Sequence, residues 1–551
     1  MTVAVQTEVR SQRSEVRRPE IRPAPPRYRS EVGKFRVVRS SACIRCGRCA
    51  EVCPYGVHLP PHGGRQMPRP RDYRCIGFSC SETNQAEPRA SASGHYCIKL
   101  CPVGALRLSI NPSFESLGDP RWTADLLAST WWEAETGHMP GPHLESAIGA
   151  SGGGFDRMRF RFPSPLPPTS DEGRVRADFP PPSGEGRVRA DFPPPSGEGR
   201  VRAEDISTRV LLNRRNDGRS PLAIDVPFYG GGMSFGSVSL HTMLAKARAS
   251  AAWNTFTCTG EGGYPDPLIP CANHVITQVA TGLFGVREET IQRTPIVEFK
   301  YAQGAKPGLG GHLLSDKVTP AVAAMREAVV GYPLFSPFPF HSVYSVEDHK
   351  KHLDWIAQVN PRALLSVKVS TPTDVDMVAV GSYYAGAHIL HLDGSYGGTG
   401  AAPDIAKKNI AMPIEYAIPR VHQFLVAEGI RDVMTVVASG GLRTPDDVAK
   451  AIALGADAAV IGTSELVALG CVRCANCESG RGCPRGIATT DPGLAEMVPL
   501  EWATQRLINM FNAWRERIVD ILWLLGLPSI GDLRGRTDLL VHLDYEESAE
   551  R

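Results

Sequence analysis

MTVVASGGLRTPDDVAKAIALGADAAVIGT, residues 434–463, decides the fold. It reads as a buried strand ending in Ser439-Gly440-Gly441, then a helix, then a second buried strand ending in Ile461-Gly462-Thr463. Pro445 opens the helix, and Asp446 and Asp447 sit in its first turn, where the helix dipole favours negative charge. Glycine at a strand end lets backbone amides approach phosphate oxygens, and in eight-stranded barrels phosphate sites commonly follow the last two strands. Two plain glycine-rich turns are the alternative.

Upstream, the alternation of apolar runs and helical segments continues. Candidate strands are PLAIDVPF from Pro221, TFTCTG from Thr255, PIVEFKYA from Pro295, ALLSVKVS from Ala363, HILHLDG from His388, MTVVASGG from Met434 and AAVIGT from Ala458. No doubly-wound glycine fingerprint accompanies them, so the expectation is an α/β fold with a (β/α)8 TIM barrel over residues 206–498. An eighth strand is expected near Tyr332 to Ser336.

Directly downstream of the deciding stretch stand Cys471, Cys474, Cys477 and Cys483, with Pro484 after the last. This is iron–sulfur spacing, with three thiolates on one tight loop and a fourth closing the cage. Structural zinc is the competing use, although zinc loops usually pair two CxxC units. At the other end of the chain, SACIRCGRCAEVCP places Cys43, Cys46, Cys49 and Cys53 at the same kind of spacing. A second set, Cys75, Cys80, Cys97 and Cys101, closes with CIKLCP. Twelve of the fourteen cysteines lie in these three groups, which excludes a secreted disulfide scaffold and points to reduced thiolates in the cytoplasm.

A net charge of +2 argues for no nucleic acid and no membrane surface, and no apolar run approaches a bilayer span. Residues 1–37 read as a flexible polar tail, with wrapping over the next domain as the alternative, and 38–112 as the cysteine domain. Residues 113–205 read as a linker in which GRVRA recurs at Gly173, Gly186 and Gly199, with a short helix at TADLLASTWWEAE. A helical extension over 499–551 carries Leu507, Met510, Phe511, Trp514 and Ile518 on one stripe.

Strand ends are the catalytic face of such a barrel. GGGMSFGS brings Met233 and Ser234 after the first strand, and TGEGG brings Glu261 for proton or ammonium handling. KYAQGAKPGLGGHL brings Lys300, Gln303 and Lys306, whose cations suit a dicarboxylate, with His312 nearby. His312 and His341 are candidate proton donors. Lys368 lies in SVKVS, and Gly397 and Gly398 lie in DGSYGGTGAAP.

The cysteine domain resembles a two-cluster bacterial ferredoxin, in which the fourth cysteine of each motif serves the other cluster. The resemblance implies one [4Fe–4S] cluster on Cys43, Cys46, Cys49 and Cys101, and another on Cys75, Cys80, Cys97 and Cys53. From Ala203 to Leu494 the motifs GMSFGS, TGEGG, QGAKPGLGGHL, SPFPFHSVYSVED, SVKVS, DGSYGGTGAAP, ASGG and GCPRGIATTDP resemble the FMN domain of glutamate synthase, in its short archaeal-type form. The resemblance implies reduction of 2-iminoglutarate, formed from 2-oxoglutarate and ammonia, to L-glutamate by hydride from reduced FMN. It implies that Met233, Ser234, Lys368, Gly397, Gly398, Gly440, Gly441, Gly462 and Thr463 hold FMN. Glu261, Gln303 and Lys306 then orient substrate, and Lys368 stabilises the reduced ring.

The family pattern has a three-iron centre on three barrel cysteines. Here Cys474 is added, so the barrel cluster is [3Fe–4S] with a spectator or [4Fe–4S] with a fourth ligand, the latter being expected. No glutamine-hydrolysing region and no nicotinamide fingerprint are visible, which implies a separate glutamine amidotransferase subunit. It also implies electrons from a ferredoxin or an NAD(P)H-oxidising reductase subunit. An N-methylglutamate synthase using methylamine, and a non-catalytic flavin and iron–sulfur electron-transfer subunit, share the same motifs.

Overall fold

The computed structural model describes residues 18–27, 32–61, 67–77, 80, 97–141, 143–146, 154–162, 202–336, 343–398, 402–478 and 482–545. The cysteine domain is built on a two-stranded antiparallel ladder, β1 (Phe35–Arg39) and β2 (Leu106–Ile110), with Phe35 opposite Ile110 and Arg39 opposite Leu106. Val37, Tyr55, Val57, Ile76 and Leu106 form its core, and six cysteines pack against them.

The deciding stretch folds as read. Its strands, Thr435–Ser439 and Ala458–Ile461, are adjacent and parallel in a closed eight-stranded barrel. In chain order the barrel strands are β3 (Phe228–Gly230), β4 (Thr257–Cys258), β5 (Val275–Ala280), β6 (Ile296–Lys300), β7 (Leu364–Ser370), β8 (Ile389–Asp393), β9 (Thr435–Ser439) and β10 (Ala458–Ile461). Each pairs with its chain neighbour, and β10 closes on β3. Every residue of these strands is buried, because helices cover one face and the barrel interior the other, which is why they read as continuous apolar runs.

Two strand assignments change. The eighth strand is VITQVA at Val275–Ala280, whereas Leu334–Phe335 pairs antiparallel with His312–Leu313 outside the barrel. Gln278 interrupts the apolar run of β5, and a one-turn-per-three-residue helix over Asp266–His274 precedes it in place of a longer helix, so no strand–helix alternation marks it. The first strand also begins later than Pro221. Ala223–Ile224 pairs with Val210–Leu211, and only Phe228–Gly230 joins the barrel.

The span expected to be linker is ordered in its first part. Helix α1 (Ala124–Thr136) is capped by Thr123, whose side chain accepts from the Leu126 amide, and ends at Gly137 with φ 80°. The GRVRA repeats lie outside the described residues, apart from Arg202 and Ala203 at the end of the third. Helix α2 (Leu240–Ala252), α3 (Pro445–Leu454) and α4 (Leu500–Leu525) complete the elements used below. The expected stripe on α4 is fully buried, with Phe511 and Trp514 set edge-on to Phe228 of the barrel at 5.3 and 5.4 Å. Each large apolar side chain on that stripe contributes about 1.5–3 kcal/mol.

Helix α4 also holds the N-terminal part of the chain. Arg506, 0% exposed, donates to the carbonyls of Ala468, Ala24 and Trp131, and Asn509 donates to the carbonyls of Arg22 and Ala134. Trp514 Nε1 donates to Glu133 Oε2 at 2.9 Å. Residues 18–27 of the expected tail are thus laid along α4 and α1. Among the described residues, no helix is long and apolar enough to cross a membrane.

Candidate active site and iron–sulfur cavities

The ferredoxin-like motifs cross over in space. Cys43, Cys46, Cys49 and Cys101 line one small cavity, and Cys53, Cys75, Cys80 and Cys97 line another. Among the described residues no three His, Cys, Asp or Glu close on the point a single ion would need, while each set of four thiols rings a space. Eight soft donors in two rings fit iron–sulfur cages. Burial drives the inner thiols up, Cys75 and Cys97 to about 12 and Cys80 to about 11. Slight burial opposes the shift at Cys101, but the amides around Val103, Ala105, Leu106 and Gly104 win and hold its thiol below the usual value. His58 lines the second cavity, 3% exposed, and neither ring nitrogen has a hydrogen-bond partner among the described residues.

Helix α1 stands between this domain and the barrel. Cys75 shares a small cavity with Ala128, Trp131 and Trp132 of α1. On the barrel side, Leu126, Leu127 and Trp131 pack with Val467, and Cys471 lies against that cluster.

The barrel loop places Cys471, Cys477 and Cys483 within electrostatic reach of one another. Burial first, then Cys477 and Cys483, pushes the Cys471 thiol up to about 12. Cys474 is exposed and faces Cys477. Lys317, 3% exposed, donates to the carbonyls of Cys477 and Ala488, setting an ammonium beside the thiols. The residues flanking Cys474 are both left-handed, Arg473 at φ 60° and Ala475 at φ 60°. In the first ferredoxin-like loop the residues flanking Cys46 are left-handed too, Arg45 at φ 61° and Gly47 at φ 78°. Three of these four carry a Cβ and adopt that conformation at a cost of about 1–3 kcal/mol each. Arg473 is held there by Asp119, with Nε and Nη2 at 3.0 and 2.9 Å from Oδ2.

The strand ends surround a cavity of about 280 Å³. Met233, Ser234, Gly397, Gly398, Gly440, Gly441, Gly462 and Thr463 line it, together with Glu261, Gln303, Lys306 and Lys368. Its glycine wall has no room for a side chain at two of its positions. A Cβ on Gly440, at φ 104°, would stand 2.5 Å from the Gly394 carbonyl, and one on Gly398 would stand 1.7 Å from Thr463 Oγ1. Bare backbone at these strand ends, with a buried lysine on the interior, fits the phosphate and ring of FMN.

At the substrate side, Lys300 Nζ donates to Gln303 Oε1 at 2.9 Å and lies 3.4 Å from Glu261 Oε2. Lys306 is 4% exposed, and burial followed by Lys300 pulls its pKa to about 8. Arg326 donates to Ser234 Oγ at 2.7 Å and fixes that loop. His312 Nε2 meets Glu478 Oε1 at 2.9 Å, while His341 lies outside the described residues. Cys477 and Glu478 of the iron–sulfur loop line this same cavity.

Beneath it runs a polar chain that strand-end reading misses. Lys368 Nζ is 3.2 Å from Asp393 Oδ2, Ser439 Oγ donates to Asp393 Oδ1 at 2.5 Å, and His391 bridges Ser439 Oγ at 2.8 Å and Glu298 Oε2 at 2.9 Å. Gln278 Nε2 donates to Glu298 Oε1 at 2.7 Å. Burial works against both carboxylates and the lysine. Lys368 and His391 overcome it at Asp393, His391 and Lys368 overcome it at Glu298, and each acid is held at about 2. Asp393 in turn keeps the Lys368 pKa above its ordinary value, so the ammonium stays charged. The available signal was register: Lys368 lies opposite His391, and Gln278 opposite Glu298, so polar residues inside apolar strands meet in the barrel interior.

The conserved region in glutamate synthase matches residues 202–527, more than half of the chain. The chain belongs to the glutamate synthase family. A 4Fe-4S binding domain matches residues 36–57. The archaeal-type glutamate synthase [NADPH] of Thermotoga maritima is 34% identical over 502 residues, spanning 90% of this chain and 92% of that one. The archaeal glutamate synthase [NADPH] of Methanocaldococcus jannaschii is 34% identical over 521 residues, 94% of this chain and 95% of that one. The glutamate synthase [NADPH] large chain of Azospirillum brasilense is 36% identical over 327 residues, 58% of this chain but 21% of that one. Among solved structures, a flavocytochrome b2 variant with benzoylformate is 15% identical, with a TM-score of 0.39, covering 62% of this chain and 74% of that one. The glutamate synthase family is one of oxidoreductases acting on CH–NH2 donors, and this chain carries a 4Fe-4S motif near its N-terminus as well.

Proposed function

We propose that this glutamate synthase reduces 2-iminoglutarate, formed from 2-oxoglutarate and ammonia, to L-glutamate. One observation carries the reading: Cys477 and Glu478 line the same cavity as Lys368 and the glycine-rich strand ends, so an electron-carrying loop opens directly onto the flavin site. The names of the long relatives, which span nine-tenths or more of both chains, support it.

FMN, when bound, supplies the hydride that reaches the C=N carbon. Met233, Ser234, Gly397, Gly398, Gly440, Gly441, Gly462 and Thr463 would hold it, their backbone amides suiting its phosphate. Lys368, kept charged by Asp393 and lining the same cavity, would favour the anionic reduced form of the flavin. Lys306 and Lys300 hold the two carboxylates, Gln303 orients the imine, and Glu261 moves the proton at nitrogen. These cations are buried, so an unpaired carboxylate is costly elsewhere and cheap here.

The N-terminal domain holds two [4Fe–4S] clusters, the barrel loop a third. Cys474 is presented between two left-handed residues, as Cys46 is, and this shared winding supports it as fourth ligand to a [4Fe–4S] centre. The partners are a separate glutamine amidotransferase subunit and a ferredoxin or NAD(P)H-oxidising reductase subunit, in the cytoplasm. The test is anaerobic. The protein is reduced with dithionite, 2-oxoglutarate is added with ammonium or methylamine, and flavin reoxidation and product are followed. Glutamate with ammonium is expected; N-methylglutamate alone, or no reoxidation, overturns the proposal.

A further inference from the structure

The two four-thiol cavities differ in what surrounds them. The second faces inward, since Cys75 of its lining also borders the cavity against Trp131 of α1, and Trp131 packs in the cluster that Cys471 lies against. The first reaches the surface. Of its lining, Ile44 is 60% exposed and Val103 40%, and Cys46 is exposed between them. Such side chains over an electron-carrying site leave a small apolar face for a partner.

The charge around that face is one-sided. Residues 34–53 and 97–111 carry seven Lys and Arg and a single acid, Glu51, in a chain whose net charge is only +2. Arg36, Arg45, Arg48 and Arg107 are exposed and make no ion pair among the described residues. Arg48 lines the cavity, Arg45 stands beside Ile44 in the ligand loop, and Arg36 and Arg107 lie one cross-strand step apart on the outer side of the β1–β2 ladder. Unneutralised arginines around an apolar centre steer an oppositely charged protein and release it again at moderate salt.

We propose that this face docks an acidic one-electron carrier protein, so that electrons arrive at the Cys43, Cys46, Cys49 and Cys101 site and pass inward through the Cys75 side. The inference rests on the proposed function. In the docked complex one electron leaves the reduced carrier and one is gained by the first site, with no proton or bond change. Small transient electron-transfer interfaces, below about 1,200 Å², need only such a patch.

The test uses the full-length, cluster- and flavin-loaded protein and the R36E/R107E variant, neither residue being part of a cavity. Reduction by a reduced acidic ferredoxin is followed in stopped flow between about 0.05 and about 0.3 M salt. The wild-type rate constant is expected to fall about tenfold over that range, and the variant to start about tenfold slower with little salt dependence. Equal rates and equal salt slopes, or no reduction of the wild type, overturn the docking face. Both proteins are also reduced fully with dithionite and mixed with 2-oxoglutarate and ammonium in a single turnover. Equal reoxidation is expected there; failure of the prereduced wild type to reoxidise instead overturns the functional reading on which the docking face rests.

Discussion

Lys306 is the residue whose perturbation reports most directly on the substrate side. Buried beside Lys300, and only partly compensated by Glu261 and Glu478, its ammonium titrates at about 8 instead of 10.5. At pH 7 about nine-tenths of the protein carries the charge, and at pH 9 about one-tenth. If the ammonium holds a carboxylate of 2-oxoglutarate, the apparent Kd rises about tenfold between those pH values. The folded pKa lies below the unfolded one, so the charged lysine costs stability below pH 8, and the cost is relieved as pH rises from 8 towards 10.5. Its upper bound is about 3 kcal/mol. Lys306→Met should therefore abolish the pH-dependent binding while raising the apparent melting temperature at pH 7, the opposite of what a structural lysine would do. Lys306→Arg should bind with no inflection near pH 8. The assay is titration of the flavin-loaded protein with 2-oxoglutarate, read by flavin absorbance from pH 6.5 to 9.5. A flat wild-type profile, or an inflection retained in Lys306→Arg, would refute the assignment.

Three further outcomes follow from the geometry. Cys474→Ala should convert the barrel centre to a three-iron form, seen as a new low-temperature EPR signal in the oxidised protein; an unchanged spectrum makes Cys474 a spectator. Asp393→Asn leaves Lys368 buried without its carboxylate, and apparent stability should drop by about 3 kcal/mol, with weaker flavin retention. His58→Phe removes an N–H that has no protein partner beside the second four-thiol cavity. The potential of one N-terminal cluster should move negative by about 30–60 mV, a three- to tenfold change in a one-electron equilibrium, in an EPR-monitored redox titration.

Spacing made much of this legible. Ser439-Gly440-Gly441 and Ile461-Gly462-Thr463 announce strand ends that line the cavity, Gly440 because only bare backbone fits there, and the cysteine motifs announce their cavities because iron demands fixed offsets. Burial on both faces made seven strands visible as apolar runs. The eighth was hidden because Gln278, needed to bind Glu298 in the barrel interior, breaks its apolar pattern. The chain from Lys368 to Glu298 was hidden too: its members come from four different strands, and only closure of the barrel brings them together. Helix α1 read as a possible helix in a linker, since Trp131 and Glu133 find their partners on α4 and at Cys75, far away in sequence.

That helix changes how the molecule can be divided. Arg506 is sealed in, and its guanidinium donates to carbonyls from the N-terminal segment, from α1 and from the end of the barrel. Removing everything before residue 206 would take away its Ala24 and Trp131 carbonyl partners, leaving a buried guanidinium short of acceptors, and would uncover part of α4. A minimal flavin module cut at the sequence-level domain border would thus be insoluble, and chimeras that exchange the electron-carrying half must keep residues 18–27 and α1 with the barrel that grips them.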